Sequence, residues 1–268
     1  MTGTEALEQL LKRDRVIVLV SLVVITGLAW LYLVDMAADM SNMPMTMDNA
    51  VSMAQVKSWS MLDFVLLLLM WSVMMIGMMV PSAAPMILLF AMVSRKQRER
   101  GHTFAPTTMF IAGYLVAWTG FSFIATILQW MFDQAALLSP MMVSTSPVLG
   151  GLLLVSAGVY QLTPLKHACL KRCRSPLEFI TRRWRRGNAG ALMMGMEHGA
   201  YCVGCCWFLM GLLFFGGVMN LVWVAAIAVL VLLEKVAPFG QVVGKVSGVL
   251  LIISGLVVSY HGQTMIRY

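Results

Sequence analysis

Long apolar runs recur along almost the whole chain, and they constrain its fold more than any other feature. About 20 apolar residues in a helix cross the roughly 30 Å hydrocarbon layer of a bilayer. Seven apolar segments can be marked, at residues 16–34, 62–93, 104–132, 147–165, 189–216, 218–233 and 236–260. Only 12% of the residues are charged, roughly half the share of a soluble domain. The sequence therefore predicts an all-α, polytopic transmembrane helix bundle with about seven spans.

The basic residues between these segments set the orientation. If the N-terminus is cytoplasmic, 17 of the 19 lysines and arginines fall on the cytoplasmic side, and only Lys57 and Arg267 lie outside. Positive residues collect on cytoplasmic loops of membrane proteins, so we expect a cytoplasmic N-terminus in a bacterial inner (plasma) membrane. A nucleic-acid partner would need a basic face on a soluble domain. The expected partner is therefore the lipid bilayer, and no nucleic-acid partner is expected.

The chain divides at about residue 60. Residues 1–60 hold the first span and a methionine-rich external loop, and residues 61–268 form a six-helix core. Pro81 and Pro85 interrupt the second segment, and since each proline removes a helix hydrogen bond, we expect this helix to be kinked or partly unwound. The turn at Phe215-Gly216-Gly217 is compatible with a loop between two spans or with the tip of a re-entrant hairpin.

One helix face in the fifth segment carries groups that bind metals. His198 and Cys202 are four residues apart, and Cys205 and Cys206 follow Cys202 by three and four, so the four side chains share a face. Thiolate and imidazole are ligands for zinc and, with thioether, for copper(I). Cysteine is also a common small apolar filler. The ionisable Glu197 and His198 favour a functional site, because such groups are costly within a span.

A second group of cysteines follows the fourth segment. Cys169 and Cys173 are four residues apart, among lysines and arginines that favour the thiolate form; His167 lies on another face of the same helix. The predicted topology brings this pair to the membrane side where the fifth segment begins, so the two groups could form one site. Glu234 and Lys235 follow the sixth segment on that side. They are either interfacial residues whose charged ends reach water, or Glu234 serves the site as a ligand, proton acceptor or counter-charge.

Methionine is the compositional anomaly, with 25 residues. The external loop carries Met36, Met40, Met43, Met45, Met47 and Met53 among Asp35, Asp39 and Asp48. Thioethers are soft ligands that select copper(I), so this loop favours metal capture. A further stripe, Met70, Met74 and Met78, lies in the second segment, where packing is the simpler interpretation.

Several stretches resemble a bacterial family, named only as a domain of unknown function, of metal-binding integral membrane proteins. They lie at 75–86, 113–115 with Trp118, 160–166, Cys169, 173–176, 204–207 and 234–235, and the resemblance covers about residues 63 to 258. It implies a membrane site built from histidine and cysteine.

The sequence thus predicts a non-enzymatic membrane protein that handles a soft transition metal, copper first and zinc second. It would act as a transporter, or as a delivery or assembly factor with a membrane metalloenzyme or a soluble metal chaperone as partner. The predicted ligands are the five cysteines and the ionisable residues near them: His198, Cys202, Cys205, Cys206, Cys169, Cys173, Glu197, Glu234 and His167.

Two other functions fit parts of the pattern. Cys202 and Cys205 have the spacing of a redox dithiol, which would suit a membrane thiol-disulfide oxidoreductase. Against this, none of the five cysteines lies on a predicted external loop. The chain could instead be a non-catalytic structural subunit of a membrane complex.

Overall fold

The computed structural model describes residues 3–42, 59–101, 105–135 and 146–266, and this part of the chain is helical, without strands. The predicted all-α class is thereby confirmed. Most of the predicted metal-capture loop, including Met43, Met45, Met47, Met53 and Asp48, lies outside the described residues. The helices are α1 (Gly3–Asn42), α2 (Met61–Glu99), α3 (Thr107–Gln134), α4 (Pro147–Leu162), α5 (Pro164–Arg174), α6 (Pro176–Arg183), α7 (Gly187–Gly211), α8 (Leu213–Gly216), α9 (Leu221–Val236) and α10 (Gly240–Ile266).

Five helical segments are long and apolar enough to cross a membrane, and a sixth is obtained if α4 and α5, bent by 64° at Thr163, count as one broken span. The shorter α9 has 16 residues, or about 24 Å of helix. The turn before it follows α8, where Gly217 has a φ of 93°. Seven spans and a cytoplasmic N-terminus remain predictions.

The outer surface of the bundle is apolar, as expected where helices meet lipid rather than water. Val23 of α1 is 69% exposed, and Leu256 of α10 is 58% exposed. Polar side chains lie inside instead: the indole of buried Trp71 donates to Gln129 Oε1 at 2.6 Å. Polar side chains therefore pair with one another in the core of the bundle.

Helix α2 runs without a break through Pro81 and Pro85, so of the two expected outcomes partial unwinding does not occur, and a kink stays a prediction. Pro81 has no N–H to donate to the carbonyl of Gly77, four residues earlier. The indole of Trp30 in α1 donates to that oxygen at 3.3 Å. A Cβ at Gly77 would lie 3.4 Å from the Cβ of Ala29. Helix α1 thus packs against α2 where the proline frees a carbonyl group.

Helices α3 and α7 touch backbone to backbone. A Cβ atom added to Gly113 would lie 2.0 Å from the carbonyl oxygen of Leu192, and one added to Gly195 would lie 2.0 Å from that of Phe110. Such distances are sterically impossible, so only glycine permits this approach, as in small-residue contacts between membrane helices. The contact holds the cysteine-bearing face of α7 against Tyr114 of α3.

Helices α4 and α10 pack in the same way. A Cβ on Gly158 would lie 2.6 Å from the carbonyl oxygen of Gly248, and one on Gly151 would lie 2.0 Å from the hydroxyl of Ser259. This pair of helices places Gln161 of α4 beside Ser247 of α10, at 3.0 Å between Nε2 and Oγ.

We expect Gly113→Ala to lower the stability of the detergent-purified protein, because its new methyl group must push α7 away, at a cost of about 1–3 kcal/mol. Gly120→Ala in the same helix is the matched control, since a Cβ there meets no atom within 4 Å and alanine favours helix by roughly 0.5–1 kcal/mol. Thermal melting followed by circular dichroism measures both. Equal melting temperatures for the two variants would contradict the glycine contact.

Candidate metal centre

The inner face of α7 carries the imidazole and thiols that the spacing predicts to lie together. His198, Cys202, Cys205 and Cys206 are at most 3% exposed. The sulfurs of Cys205 and Cys206 lie 3.1 and 2.9 Å from the carbonyl oxygen of Cys202. One helix therefore supplies four soft or borderline ligand groups to the interior of the bundle.

Helix α5 brings the other two cysteines to the same place. The thiol of Cys173 interacts with those of Cys202 and Cys205. Cys169 packs against α7 where Gly204 has no side chain, since a Cβ there would lie 3.1 Å from the Cys169 sulfur. All five cysteines are free thiols. We call these five residues the thiol cluster.

Cys202 has the most polar surroundings of the five. The Lys235 ammonium lies 2.8 Å from the Cys202 sulfur and 3.2 Å from the hydroxyl of Ser82. The Tyr114 hydroxyl lies 3.1 Å from the same sulfur and donates to the carbonyl oxygen of Met79. A cation at this distance stabilises negative charge on sulfur. The site is thus built to hold a thiolate away from water.

A thioether borders the thiol cluster on the α2 side. The sulfur of Met79 lies 4.0 Å from that of Cys206, and both side chains are buried. Met79 neighbours the stripe of Met70, Met74 and Met78, which are also buried. The stripe packs in the core, and its neighbour Met79 adds a soft donor to the cluster.

Glu234 does not reach the thiols. Its carboxylate pairs with the Lys166 ammonium at 2.5 Å, and both side chains are nearly inaccessible. Its other oxygen accepts from Gln161 Nε2 at 2.7 Å. Glu234 and Lys235 are 2% and 8% exposed, so the interfacial interpretation was wrong. Glu234 is a counter-charge within the bundle, for Lys166.

The structure does not bring Glu197 or His167 to the thiol cluster. The Glu197 carboxylate lies 3.3 Å from the Arg183 guanidinium and accepts from the Tyr201 hydroxyl at 3.4 Å. Glu197 directly precedes His198 in α7, and adjacent residues of a helix do not share a face. His167 is half-buried on α5, and none of the thiol contacts above involves it.

His198 lies among aromatic rings. Its ring centre is 6.1 Å from that of Phe110, 6.0 Å from Tyr114 and 5.6 Å from Phe179. Its Nδ1 is a buried polar atom that has no hydrogen-bond partner in the part of the chain that the structure describes. Buried polar atoms are nearly always paired in native proteins. A metal ion is a partner that would satisfy this nitrogen.

Within the described ranges, no group of three or more His, Cys, Asp or Glu side chains is already arranged to hold a metal ion. The closed four-ligand set of a structural zinc site is therefore not formed by these residues. Copper(I) needs fewer ligands than zinc, because two thiolate sulfurs can hold it. Soft sulfur ligands also select copper(I).

Sequence reasoning missed three groups that shape the site. Lys235 and Lys166 carry a detectable signal, since charged residues within or beside an apolar segment are costly unless paired. The role of Tyr114 has no such signal, because a tyrosine within a span is compatible with packing alone. Its contact with Cys202 depends on how closely α3 approaches α7.

The family model of PpoB2, described as a copper chaperone, matches residues 68–258, more than two thirds of the 268-residue chain. The match includes the thiol cluster, His198 and Lys235, and leaves α1 outside. No curated protein and no solved structure matches the chain significantly. The resemblance drawn from the sequence stretches is confirmed, and it extends to the handling of copper. The chain belongs to the PpoB2 family of copper chaperones.

Proposed function

We propose that this protein spans a membrane, binds copper(I) at its thiol cluster and delivers the ion to a metalloenzyme at the same membrane. The observation that carries this proposal is the position of Cys202, whose sulfur lies against a buried ammonium group and beside other free thiols. Membership of a copper chaperone family supports copper as the cargo. The apolar helices support a location in the bilayer.

Charge balance explains why a lysine belongs here. Copper(I) held by two thiolates has a net charge of −1, which would be costly to bury alone. The Lys235 ammonium, 2.8 Å from the Cys202 sulfur, would neutralise the complex. Ser82 accepts a second hydrogen bond from the same ammonium and so fixes its position.

The ligands divide into two groups by position. Cys202, Cys205 and Cys173 interact with one another and would supply the sulfur ligands. The unpaired Nδ1 of His198 and the thioether of Met79 lie at the edge of this group. More donors than copper(I) needs allow one ligand to replace another without releasing the ion. This property suits delivery better than permanent storage.

The membrane position follows from charge. Residues 164–186, which form α5, α6 and the segment before α7, carry eight of the 17 lysines and arginines that the positive-inside pattern assigns to the cytoplasm. The thiol cluster lies where α5 meets α7, so we place it in the cytoplasmic half of the bundle. Copper(I) and free thiols are both stable in that reducing compartment.

Replacing Cys202 with serine should abolish high-affinity copper(I) binding, because the sulfur beside Lys235 is lost. Cys173→Ser should weaken binding more than Cys169→Ser, since Cys173 interacts with Cys202 and Cys205, whereas Cys169 packs against Gly204. Anaerobic titration of the purified protein against a chromogenic copper(I) chelator measures the three affinities. Serine variants that all bind as well as the unaltered protein would contradict the proposal.

The same samples separate metal binding from redox chemistry. Bound copper should protect Cys202 and Cys205 from alkylation, and removal of the metal by a chelator should expose them, as mass spectrometry of their peptide would show. A Cys202–Cys205 disulfide that a quinone regenerates would instead establish a thiol-disulfide oxidoreductase.

Lys235→Met should reduce copper(I) affinity about ten- to a hundredfold, because a hydrogen bond to a charged group contributes roughly 1.5–3 kcal/mol. Lys245→Met is the control, since Lys245 is exposed on α10. The chelator competition measures both. Unchanged affinity in Lys235→Met would show that the ammonium does not compensate the charge of the bound complex.

A further inference from the structure

A pocket of about 130 Å³ lies between α5, α6 and α7. We call it the access pocket and define it by Arg172, Phe179, Arg182, Arg183, Glu197 and Tyr201. None of these residues belongs to the thiol cluster. The three arginines are exposed, whereas Phe179 is buried at the inner wall. The pocket therefore runs from the arginine-rich surface towards the interior of the bundle.

One aromatic ring joins this pocket to His198. Phe179 lines the pocket and packs edge-on against His198, with ring centres 5.6 Å apart. The Nδ1 of His198 has no hydrogen-bond partner among the described residues. The ring of Tyr114 continues the path, since it lies against His198 and its hydroxyl contacts the Cys202 sulfur. Movement of Phe179 would connect the pocket to a vacant nitrogen ligand.

Helix α7 ties the pocket wall to the ligands. Glu197 directly precedes His198, and Tyr201 directly precedes Cys202. The Arg183 guanidinium holds Glu197 at 3.3 Å, and Arg172 donates to the Tyr201 hydroxyl while lying over its ring at 4.8 Å. The rim is thus ordered by ion pairs and hydrogen bonds, and a shift there acts on the helix that carries the ligands.

The charge of the rim indicates what the pocket admits. Its arginines outnumber the carboxylates of Glu178 and Glu197, so it favours an anion over a bare cation. Copper(I) in a reducing solution is carried by thiolates, and a copper(I) ion with two thiolates is an anion. Arginine guanidinium groups are weakly hydrated and suit the binding of anions at a surface.

We propose that the access pocket is the route by which an anionic copper(I)–thiolate complex passes copper to His198 and the thiol cluster, and that Phe179 closes this route. The transfer is a ligand exchange in which copper remains copper(I). Each thiol of the thiol cluster that binds copper gives its proton to a thiolate of the incoming complex, and that thiolate leaves as a free thiol. This inference rests on the proposed function for its cargo, but the route itself can be tested without metal.

The test is the rate at which N-ethylmaleimide, a small neutral reagent, alkylates Cys202 in the metal-free, detergent-purified protein. Phe179→Ala should raise this rate at least about tenfold, because the reagent no longer depends on a local opening of the bundle. Phe179→Trp should lower it. Leu177→Ala is the control, since Leu177 is 66% exposed on the same helix and does not line the pocket. Mass spectrometry of the Cys202 peptide measures each rate.

Phe179→Leu provides a variant that keeps apolar packing, and it should give an intermediate rate with a smaller loss of melting temperature than Phe179→Ala. Copper(I) loss to an excess of chelator should accelerate in the same order as alkylation. If the Phe179 variants are alkylated faster but the protein binds no copper, the route through the access pocket is supported and the proposed function is overturned. Equal alkylation rates in Phe179→Ala, Phe179→Leu and the unaltered protein would overturn the route, whether or not copper binds.

Discussion

Two neighbouring residues of opposite charge at the end of α9 point into different parts of the bundle. Glu234 pairs with Lys166 of α5, while the Lys235 ammonium contacts the sulfur of Cys202 in α7 at 2.8 Å. Arg174 of α5 donates to the carbonyl oxygens of Glu234 in α9 and of Ala237 just after it. Removing one partner of a buried ion pair costs about 3–5 kcal/mol, so these contacts join α5, α7 and α9 firmly. The thiol cluster forms where these three helices meet.

The helices around this meeting point are closely packed. Glycine contacts bring α3 against α7, so that the Tyr114 hydroxyl reaches Cys202. Gly204 leaves the space that Cys169 occupies. Hydrogen bonds hold the polar groups around Cys202, whereas the thiols carry no disulfide and form no closed metal cage among the described residues. Such a centre would suit the copper delivery proposed above.

The sequence pattern predicts which residues share a face but not which helix they meet. Spacing alone is enough to group His198 with Cys202, because that relation is local to α7. It could not show that Glu197 turns towards Arg183, or that Lys235 turns inward, since both depend on neighbouring helices. That α2 runs unbroken through Pro81 could not be predicted for a similar reason: Trp30, 47 residues away from Gly77, donates to the freed carbonyl group. The family resemblance rested on short stretches that include Pro81, Cys205 and Lys235.

X-ray absorption at the copper edge tests the central claim most directly. Protein loaded anaerobically with one equivalent of copper(I) should show copper that remains reduced, in a first shell dominated by sulfur, and Cys202→Ser should lose sulfur from that shell. A shell of nitrogen and oxygen only, or one that Cys202→Ser leaves unchanged, would show that copper is held elsewhere and would contradict the account.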